Sequence, residues 1–375
     1  MDLTTRLQPV LDAARASAAA VDADGAFPAA AVGALRESGL LGLTIPTELG
    51  GLGQGPEEFL DVIGQVAGAC GSTAMIYLMH VSAAMPVVNA PPAQYPGLVG
   101  QLADGTMLAT LAFSEKGSRS HFWAPVSRAE LTAVGVRLSA EKSWVTSAGY
   151  ADLYVISTQS PGASSPSESD LFAILGTDPG IKVAAPWSAL GLRGNASSPM
   201  SIEATVPEGA RLGDSGTGFA TMMQVVLPWF NLGNAAVTLG LASAALDAAV
   251  GHVGGARLEH LGTSLADLPT IRHRVGKAGV GLAAHQAYLR ETARSIAAPD
   301  DGTLLKVIGS RAAANDAALV IIDEAMRVCG GAAFSKHLPI ERYFRDARAG
   351  HVMAPTSDVL YDLYARALCG MELFA

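Results

Sequence analysis

Two long runs without charge set the first constraint on what this sequence can fold into. Residues 62–103 and residues 215–246 contain no Asp, Glu, Lys or Arg. An uncharged run of more than about 18 residues has to be tested as a membrane span. The first run carries His80 and a proline-rich end, the second carries Asn231 and Asn234, and no basic cluster flanks either run. The sequence therefore predicts a soluble protein with deeply buried helices and no membrane span.

Charge is scarce in the whole chain as well as in these runs. Charged residues make up 16% of the sequence, against about 25% in a typical soluble domain. The net charge of −9 argues against nucleic acid as a partner. The N-terminal sequence MDLTTRLQPV lacks an apolar signal core, so we expect a cytoplasmic protein. Cys70, Cys329 and Cys369 are widely spaced and no CxxC pattern occurs, so the sequence predicts free thiols and no metal site.

The character of the chain changes twice along its 375 residues. Residues 1–106 and 213–375 repeat apolar side chains at helical spacing. Residues 107–212 instead hold short β-type runs, separated by Gly, Pro, Ser and Asp at the spacing of a barrel or sandwich. Segregated blocks of this kind predict three separate domains with these boundaries. The β-type runs are residues 107–113, 134–138, 154–157, 171–175, 181–184 and 200–204.

The second uncharged run also bears on assembly. Its helical part is apolar nearly all round, which is typical of a helix enclosed by other helices. Residues 215–246 are rich in Ala and Gly, which allow backbones to approach closely. A helical bundle that also buries a subunit interface would need such a helix, so we expect a homo-oligomer.

Hydroxyl residues and one tryptophan beside the β-type runs are candidate ligand contacts. Ser114, Ser120 and Thr146 could donate hydrogen bonds to a polar ring edge or a pyrophosphate. Trp144 could stack on a flat heterocycle, although a tryptophan in a β-run more often belongs to the core. No Rossmann GxGxxG or Walker motif follows a strand, so a nucleotide would be held in another way.

Six short motifs, which together span essentially the whole chain, resemble those of the acyl-CoA dehydrogenase family. Each is weak alone, but their order and spacing make the set specific. The resemblance implies a mainly α protein: a helical N-terminal domain, a central β-barrel and a C-terminal four-helix bundle, assembled as a tetramer or dimer. The motifs are IPTELGGLG (45–53), SEKGSRS (114–120), EKSWVTSA (141–148), LGLRG (190–194), CGGAAF (329–334) and RDAR (345–348).

The resemblance implies FAD as the cofactor. The family's Arg-x-x-Phe-Gly stretch, which reaches the pyrophosphate in a neighbouring subunit, corresponds to Arg257 through Gly262, with the arginine one residue further from the glycine. The family's Gln before its GG pair is Arg327, whose guanidinium fork still suits a phosphate, and Gly331 belongs to that pair. The residues carried over as further flavin contacts are Phe113, Ser114, Ser120, Trp144, Thr146 and Thr356.

The catalytic base that the resemblance leads us to expect is missing. Most members carry a Glu in a YEGT motif after RDA, and that position is Ala354 here. Other members place the Glu on the first long C-terminal helix beside a buried Arg, and these positions are Phe230 and Asn231. Loss of the Arg together with the Glu is physically consistent, because an unpaired buried charge is costly. We therefore expect this part of the pocket to lack both charges.

The missing base limits the chemistry. Dehydrogenation of an acyl thioester removes an α-proton while hydride leaves the β-carbon, and a positioned base contributes about 10²–10⁴-fold. Either another residue supplies that base or the reaction needs none of this type. Each nearby candidate has an ordinary structural alternative, a satisfied core residue or, for Asp358, a helix cap. The candidates are His351, Asp358, Tyr361, His121 and His80.

These observations predict an FAD-dependent oxidoreductase that acts on an acyl thioester or a related carbonyl compound. The thioester could be one of CoA or of a carrier protein, and we expect an electron acceptor as a partner. The tail 355–370 also resembles the family's flavin-monooxygenase branch, which lacks the Glu and uses reduced FMN or FAD from a flavin reductase together with O₂. That branch has a His where this chain has Met353. A third alternative is a non-oxidative or inactive member that serves as a binding protein.

Overall fold

The computed structural model describes residues 2–119 and 121–374, and in it helices at both ends of the chain flank a central sheet. Ser120 therefore lies outside the described residues. The helices before the sheet form the N-terminal block, in which Asp2 caps the first helix by accepting the Thr5 backbone N–H at 2.8 Å. They are α1 (Leu3–Asp24), α2 (Ala29–Glu37), α3 (Pro56–Ala69), α4 (Gly71–Asn89) and α5 (Leu98–Ala103).

Both uncharged runs form long helices. Gly71–Asn89 and Gly218–Gly255 are apolar and long enough to cross a membrane by length and composition alone. The most apolar window of the first is 89% buried inside the protein, and that of the second is 56% buried. Burial on nearly every side of α4 is the property of a core helix, and it explains why that segment carries no charge.

A curled sheet occupies the middle of the chain, and each β-type run predicted from the sequence overlaps one of its strands. The strand pairing follows the order β1-β4-β2-β3-β7-β6, and β5 pairs with β4. The strands are β1 (Ala109–Ala112), β2 (Arg128–Thr132), β3 (Gly135–Val145), β4 (Leu153–Gln159), β5 (Ser169–Leu175), β6 (Ile181–Val183) and β7 (Ser198–Val206).

The expected central β-barrel is present only in part. Within the described residues no pairing joins β6 to β5, so the sheet ends on these two strands and forms an open half-barrel. The short β2 touches β4 in register only where Arg128 meets Gln159, so the sheet also pairs weakly at its middle. The helical blocks cover the open side in place of further strands, because the main apolar core joins β1, β4 and β5 to helices at both ends of the chain.

The C-terminal block is a bundle in which one helix contacts three others. A short π-helical stretch, Met222–Val226, separates α6 from α7. The central helix α9 packs against α7, α8 and α13, and α7 also packs on α3 of the N-terminal block. The helices are α6 (Gly218–Thr221), α7 (Leu227–Gly255), α8 (Pro269–Ala297), α9 (Thr303–Cys329), α10 (Gly331–Phe334), α11 (Ile340–Asp346), α12 (Arg348–Val352) and α13 (Ser357–Leu368), and the hairpin β8 (Arg257–Leu258) and β9 (Thr263–Ser264) precedes α8.

Close approach of α3 and α7 depends on glycine. A Cβ added at Gly240 would lie 2.3 Å from the backbone oxygen of Gly64, a distance that no side chain tolerates. The predicted use of small residues in the second uncharged run therefore serves contact between two helices of the same chain.

Candidate functional site

A cavity of about 710 Å³ lies where the sheet meets the C-terminal bundle. Its inner wall is apolar and buried, while its mouth carries exposed side chains. The inner wall includes Met79, Leu111, Phe113, Phe122, Val226 and Phe230, and the mouth includes Lys116, Arg119, Trp144, Leu190 and Val352.

Trp144 presents an indole ring to this cavity. The strand β3 is irregular between Lys142 and Val145, and Trp144 adopts a left-handed backbone with φ of +57°. A bulky residue rarely takes this conformation, and such strain tends to occur at functional sites. The side chain is 65% exposed and makes an edge contact with Trp187, at 5.8 Å between ring centroids. The ring is thus available to stack on a flat ligand.

Hydroxyl groups line the cavity beside this ring. Ser114 and Thr146 are both lining residues, and the Thr146 hydroxyl lies 2.9 Å from that of Ser197. The Thr110 hydroxyl donates to the Thr146 carbonyl oxygen at 2.7 Å, which fixes the backbone behind it. Among the predicted flavin contacts, Phe113, Ser114, Trp144 and Thr146 therefore come together around one cavity.

A buried ion pair between Lys142 and Glu115 stabilises the loop that follows β1. Lys142 Nζ donates to Glu115 Oε1 at 2.5 Å and to the Ser157 carbonyl oxygen at 2.6 Å. Glu115 Oε2 accepts the backbone N–H groups of Val126 and Ser127. Burial opposes ionisation of Glu115, but Lys142 outweighs it and the pKa of the carboxyl is lowered. Both charges are thus occupied with each other and with the loop backbone.

A second buried carboxyl ties the bundle to the cavity wall. Asp346 Oδ1 accepts the backbone N–H of Leu192 at 2.6 Å, within the LGLRG turn that lines the cavity. Leu192 has a positive φ of 49°, so this bond supports a strained turn. The preceding Arg345 forks onto the Asp22 carboxylate and bonds the Leu190 carbonyl oxygen at 3.0 Å. Two residues of the RDAR motif, Arg345 and Asp346, therefore hold the LGLRG turn in place through hydrogen bonds.

The two positions at which family members carry the base both face the cavity. Ala354 and Phe230 line the same wall although they are far apart in the sequence. Of the lining residues in the described part of the chain, Glu115 alone is a carboxylate, and it is paired with Lys142. The absence of a free carboxylate, which the sequence predicts, thus extends to the whole described lining.

Asn231 stands where the family resemblance leads one to expect a buried arginine, and an arginine from another helix lies beside it. Arg311 on α9 is fully buried directly behind this wall, and its Cζ lies 4.9 Å from the centroid of the Phe230 ring. The guanidinium donates to Asn234 Oδ1 at 3.1 Å, Asn231 Oδ1 at 2.8 Å and the Met353 carbonyl oxygen at 2.9 Å. A different helix therefore supplies the positive charge, and neutral oxygens replace the carboxylate.

Arg311 was missed although the sequence carries a signal for it. Val307, Arg311 and Asn315 follow one another at intervals of four, and all three are buried on the same face of α9. An arginine in a buried apolar stripe marks a special site.

Most of the candidate bases lie away from the cavity lining. His351 Nε2 lies 3.1 Å from Asp316 Oδ1, and the Tyr361 hydroxyl donates to Asp316 Oδ2 at 2.6 Å. Asp358 is exposed in the first turn of α13, where a negative charge favours the helix N-terminus. His121 is exposed and stacks on Trp123, with ring centroids 5.0 Å apart.

His80 is fully buried and satisfied. Its Nε2 lies 3.0 Å from the Leu41 carbonyl oxygen, and its Nδ1 lies 3.0 Å from the Ala109 backbone nitrogen, which donates to it. Burial lowers the pKa of His80 to about 4, so the ring is neutral near neutral pH. His80 therefore bridges the N-terminal block and strand β1.

The other predicted flavin contacts lie outside the cavity lining. Arg257 is exposed on the hairpin before α8, and Arg327 is half exposed on α9. Gly331 begins α10, and Thr356 precedes α13 as its N-terminal flanking residue. These four residues do not contribute to this chain's own cavity lining.

Comparison with known proteins agrees with the fold. Family models match three consecutive parts of the chain: acyl-CoA dehydrogenase N-terminal domain (9–105), middle domain (110–205) and C-terminal domain (216–369). The chain belongs to the acyl-CoA dehydrogenase family. It is an enzyme of the acyl-CoA dehydrogenase-like flavin oxidoreductase class.

Individual relatives are distant but cover nearly the whole chain. The mitochondrial short-chain specific acyl-CoA dehydrogenase of Bos taurus is 28% identical over 346 residues, 91% of this chain and 83% of the relative. The structure of butyryl-CoA dehydrogenase from Megasphaera elsdenii is similar with a TM-score of 0.90 and 21% identity, covering 98% and 99% of the two chains. FMN-bound TdsC from Paenibacillus sp. A11-2 is similar with a TM-score of 0.87 and 20% identity, covering 99% and 100%.

Proposed function

We propose that this protein is an FAD-dependent oxidoreductase that acts on an acyl thioester, or a related carbonyl compound, without the carboxylate base typical of its family. The observation that carries the proposal is the placement of Trp144, Ala354 and Phe230 around one cavity. The tryptophan face and the hydroxyl groups suit a flavin ring, and the apolar inner wall suits an acyl group.

The lining residues fit the cofactor on their own chemistry. Trp144 offers an exposed aromatic face for stacking, and Ser114 and Thr146 offer hydroxyl donors to the polar ring edge. A bound flavin supplies the two-electron acceptor of the reaction. The chain's own part is to hold the ring against Trp144, to shield the acyl group among Phe113, Phe122 and Leu111, and to exclude water from them.

Proton removal is the unusual step. Without a carboxylate near Ala354, a proton would leave through water, through a group on the substrate or to one of the candidate bases. Of those, His351 lies in a segment whose Ala349, Val352 and Met353 all line the cavity. His351 would need to leave Asp316 in order to take part.

A flavin monooxygenase is the second candidate function. It is favoured by the described lining, whose one carboxylate is paired with Lys142, and by the likeness to FMN-bound TdsC. In this case reduced FMN or FAD from a flavin reductase would be a co-substrate with O₂. A non-oxidative binding protein remains the third alternative.

The absorbance spectrum of the purified protein separates these functions. A yellow protein that is bleached by an acyl-CoA without oxygen supports dehydrogenation. Turnover that requires both a flavin reductase and O₂ supports the monooxygenase. A colourless protein that takes up neither FAD nor FMN contradicts both oxidative functions.

We also propose that the protein is a cytoplasmic homo-oligomer, a tetramer or dimer, whose partner completes the cofactor site. Arg257, Arg327 and Gly331 lie outside their own chain's cavity, as expected for residues that serve a neighbour. Phe334, next to this GG pair, is 84% exposed, and covering it would bury apolar surface. Light scattering after size exclusion tests the assembly, and a monomer at micromolar concentration would contradict it.

A further inference from the structure

The strongest unexplained feature outside the flavin contacts is the charge of Arg311. Its side chain is completely buried, and its three nitrogen atoms donate only to neutral oxygens, those of Asn231, Asn234 and Met353. No carboxylate in the described part of the chain forms an ion pair with it. Burial lowers the pKa of Arg311 to about 9, so the group is still charged at neutral pH. A buried charge without a counter-charge is costly and calls for a compensating partner.

A second observation at the same place points to a negatively charged ligand. Asn231 is also completely buried; its Oδ1 accepts from Arg311, but its Nδ2 has no hydrogen-bond partner. An unpaired buried N–H group costs free energy that a nearby acceptor would recover. The unpartnered donor adds to the positive electrostatic potential that Arg311 creates behind the cavity wall.

The position of Arg311 relates it to the inner end of the cavity. The guanidinium lies against Phe230, and its Nη2 bonds the Met353 carbonyl oxygen, immediately before Ala354. Phe230, Met353 and Ala354 all line the cavity. The lining residues Phe230 and Met353 therefore separate Arg311 from the part of the cavity that an acyl group would occupy.

The remaining charges at the cavity have the same sign. Lys116, Arg119 and Arg348 line it without an ion-pair partner in the described residues. The other two charged lining residues are neutralised, Arg345 by Asp22 and Glu341, and Glu115 by Lys142. The protein as a whole carries a net charge of −9. A positive cavity in an acidic protein indicates selection for a negatively charged ligand.

We propose that Arg311 is a specificity-determining residue that makes the inner end of the cavity select acyl thioesters whose acyl group itself carries a carboxylate. The inference rests on the proposed function, because it takes the ligand to be a thioester. Arg311 acts through the wall and does not touch the ligand. At the effective dielectric constant of about 20 that applies inside proteins, a charge separated from the ligand by one side chain changes binding on the order of tenfold.

Asn231→Asp is the decisive variant. The new carboxylate keeps the oxygen that accepts from Arg311 and replaces the unpartnered Nδ2, so it neutralises the guanidinium without removing a hydrogen bond. A merely structural role for Arg311 predicts an equal or more stable protein with unchanged ligand preference. The electrostatic role predicts an equal or more stable protein that has lost its preference.

The measurement is calorimetric titration of the intact protein with succinyl-CoA and with butyryl-CoA, which differ in a terminal carboxylate against a terminal methyl group. The wild type is expected to bind succinyl-CoA on the order of tenfold more tightly, and Asn231→Asp to bind the two alike. Asn89→Asp, on the exposed end of α4, adds the same charge elsewhere and should retain the preference.

Two results would overturn the inference. Equal binding of both thioesters by the wild type, or a preference that survives in Asn231→Asp, contradicts the role of Arg311 while leaving thioester binding intact. Failure of the wild type to bind either thioester contradicts the proposed function, and the inference falls with it.

Discussion

Asp346 Oδ1 accepts the backbone N–H of Leu192 at 2.6 Å and so joins the C-terminal bundle to the turn that shapes the cavity. The two residues are 154 positions apart in the sequence. Together with the bond from Arg345 to the Leu190 carbonyl oxygen, it connects the RDAR and LGLRG motifs, which hold the cavity wall in place.

The Asp346 carboxyl makes stability depend on pH. Burial raises its pKa from 3.8 to about 6, so the folded protein holds this proton more tightly than the unfolded chain. Ionising Asp346 therefore lowers the free energy of unfolding progressively as pH rises from about 4 to about 6. Above this pH window the loss is complete and amounts to about 3 kcal/mol. Asp346→Asn keeps an oxygen for Leu192 and should be more stable than wild type above the window and similar below it. Denaturant titrations at both ends measure this, and equal effects at the two pH values would refute it.

The Glu115–Lys142 pair should behave as a unit. Lys142→Met leaves a buried, unpaired Glu115 and should lower the free energy of unfolding by about 3–5 kcal/mol. The double variant Glu115→Gln, Lys142→Met removes both charges and should be less destabilised than Lys142→Met alone. Arg137→Met, which breaks the exposed pair with Glu130, serves as the control and should cost about 1 kcal/mol or less. Chemical denaturation of the variants tests this, and a double variant that is no more stable than Lys142→Met would show that the two residues do not act as a unit.

Trp144 should matter for the flavin and little for folding. Trp144→Ala removes a 65% exposed side chain, so its melting temperature without cofactor should match that of the wild type. Loss of stacking, worth about 0.5–1.5 kcal/mol, should weaken flavin binding by up to about tenfold. Leu131→Ala, at a similarly exposed site on β2, is the matched control. Fluorescence titration with FAD gives the affinities, and unchanged binding in Trp144→Ala would place the flavin elsewhere.

The residues that sequence motifs could predict are those whose function is local. Trp144, Thr146 and Ser114 belong to short motifs, and their positions around the cavity follow from β3 and the end of β1. Burial of residues 71–89 was likewise predictable, because an uncharged helix in a soluble protein is a core helix.

The features that the sequence did not predict depend on contacts between distant segments. Arg311 meets Asn231 only because α9 packs against α7, and matching motifs position by position cannot show which side chains of two distant helices meet. The open sheet has a similar cause: the short strand β2 was not predicted, and its weak pairing with β4 is a property of the assembled sheet.

Restoring the base at Ala354 tests the account most directly. Ala354→Glu places a carboxylate on the cavity wall, and general-base action should accelerate flavin reduction by about 10²–10⁴-fold. The measurement is the rate at which butyryl-CoA bleaches the bound flavin of wild type and variant without oxygen. The account predicts slow bleaching in the wild type and fast bleaching in Ala354→Glu. Equal rates in two proteins that bind flavin equally well would contradict it.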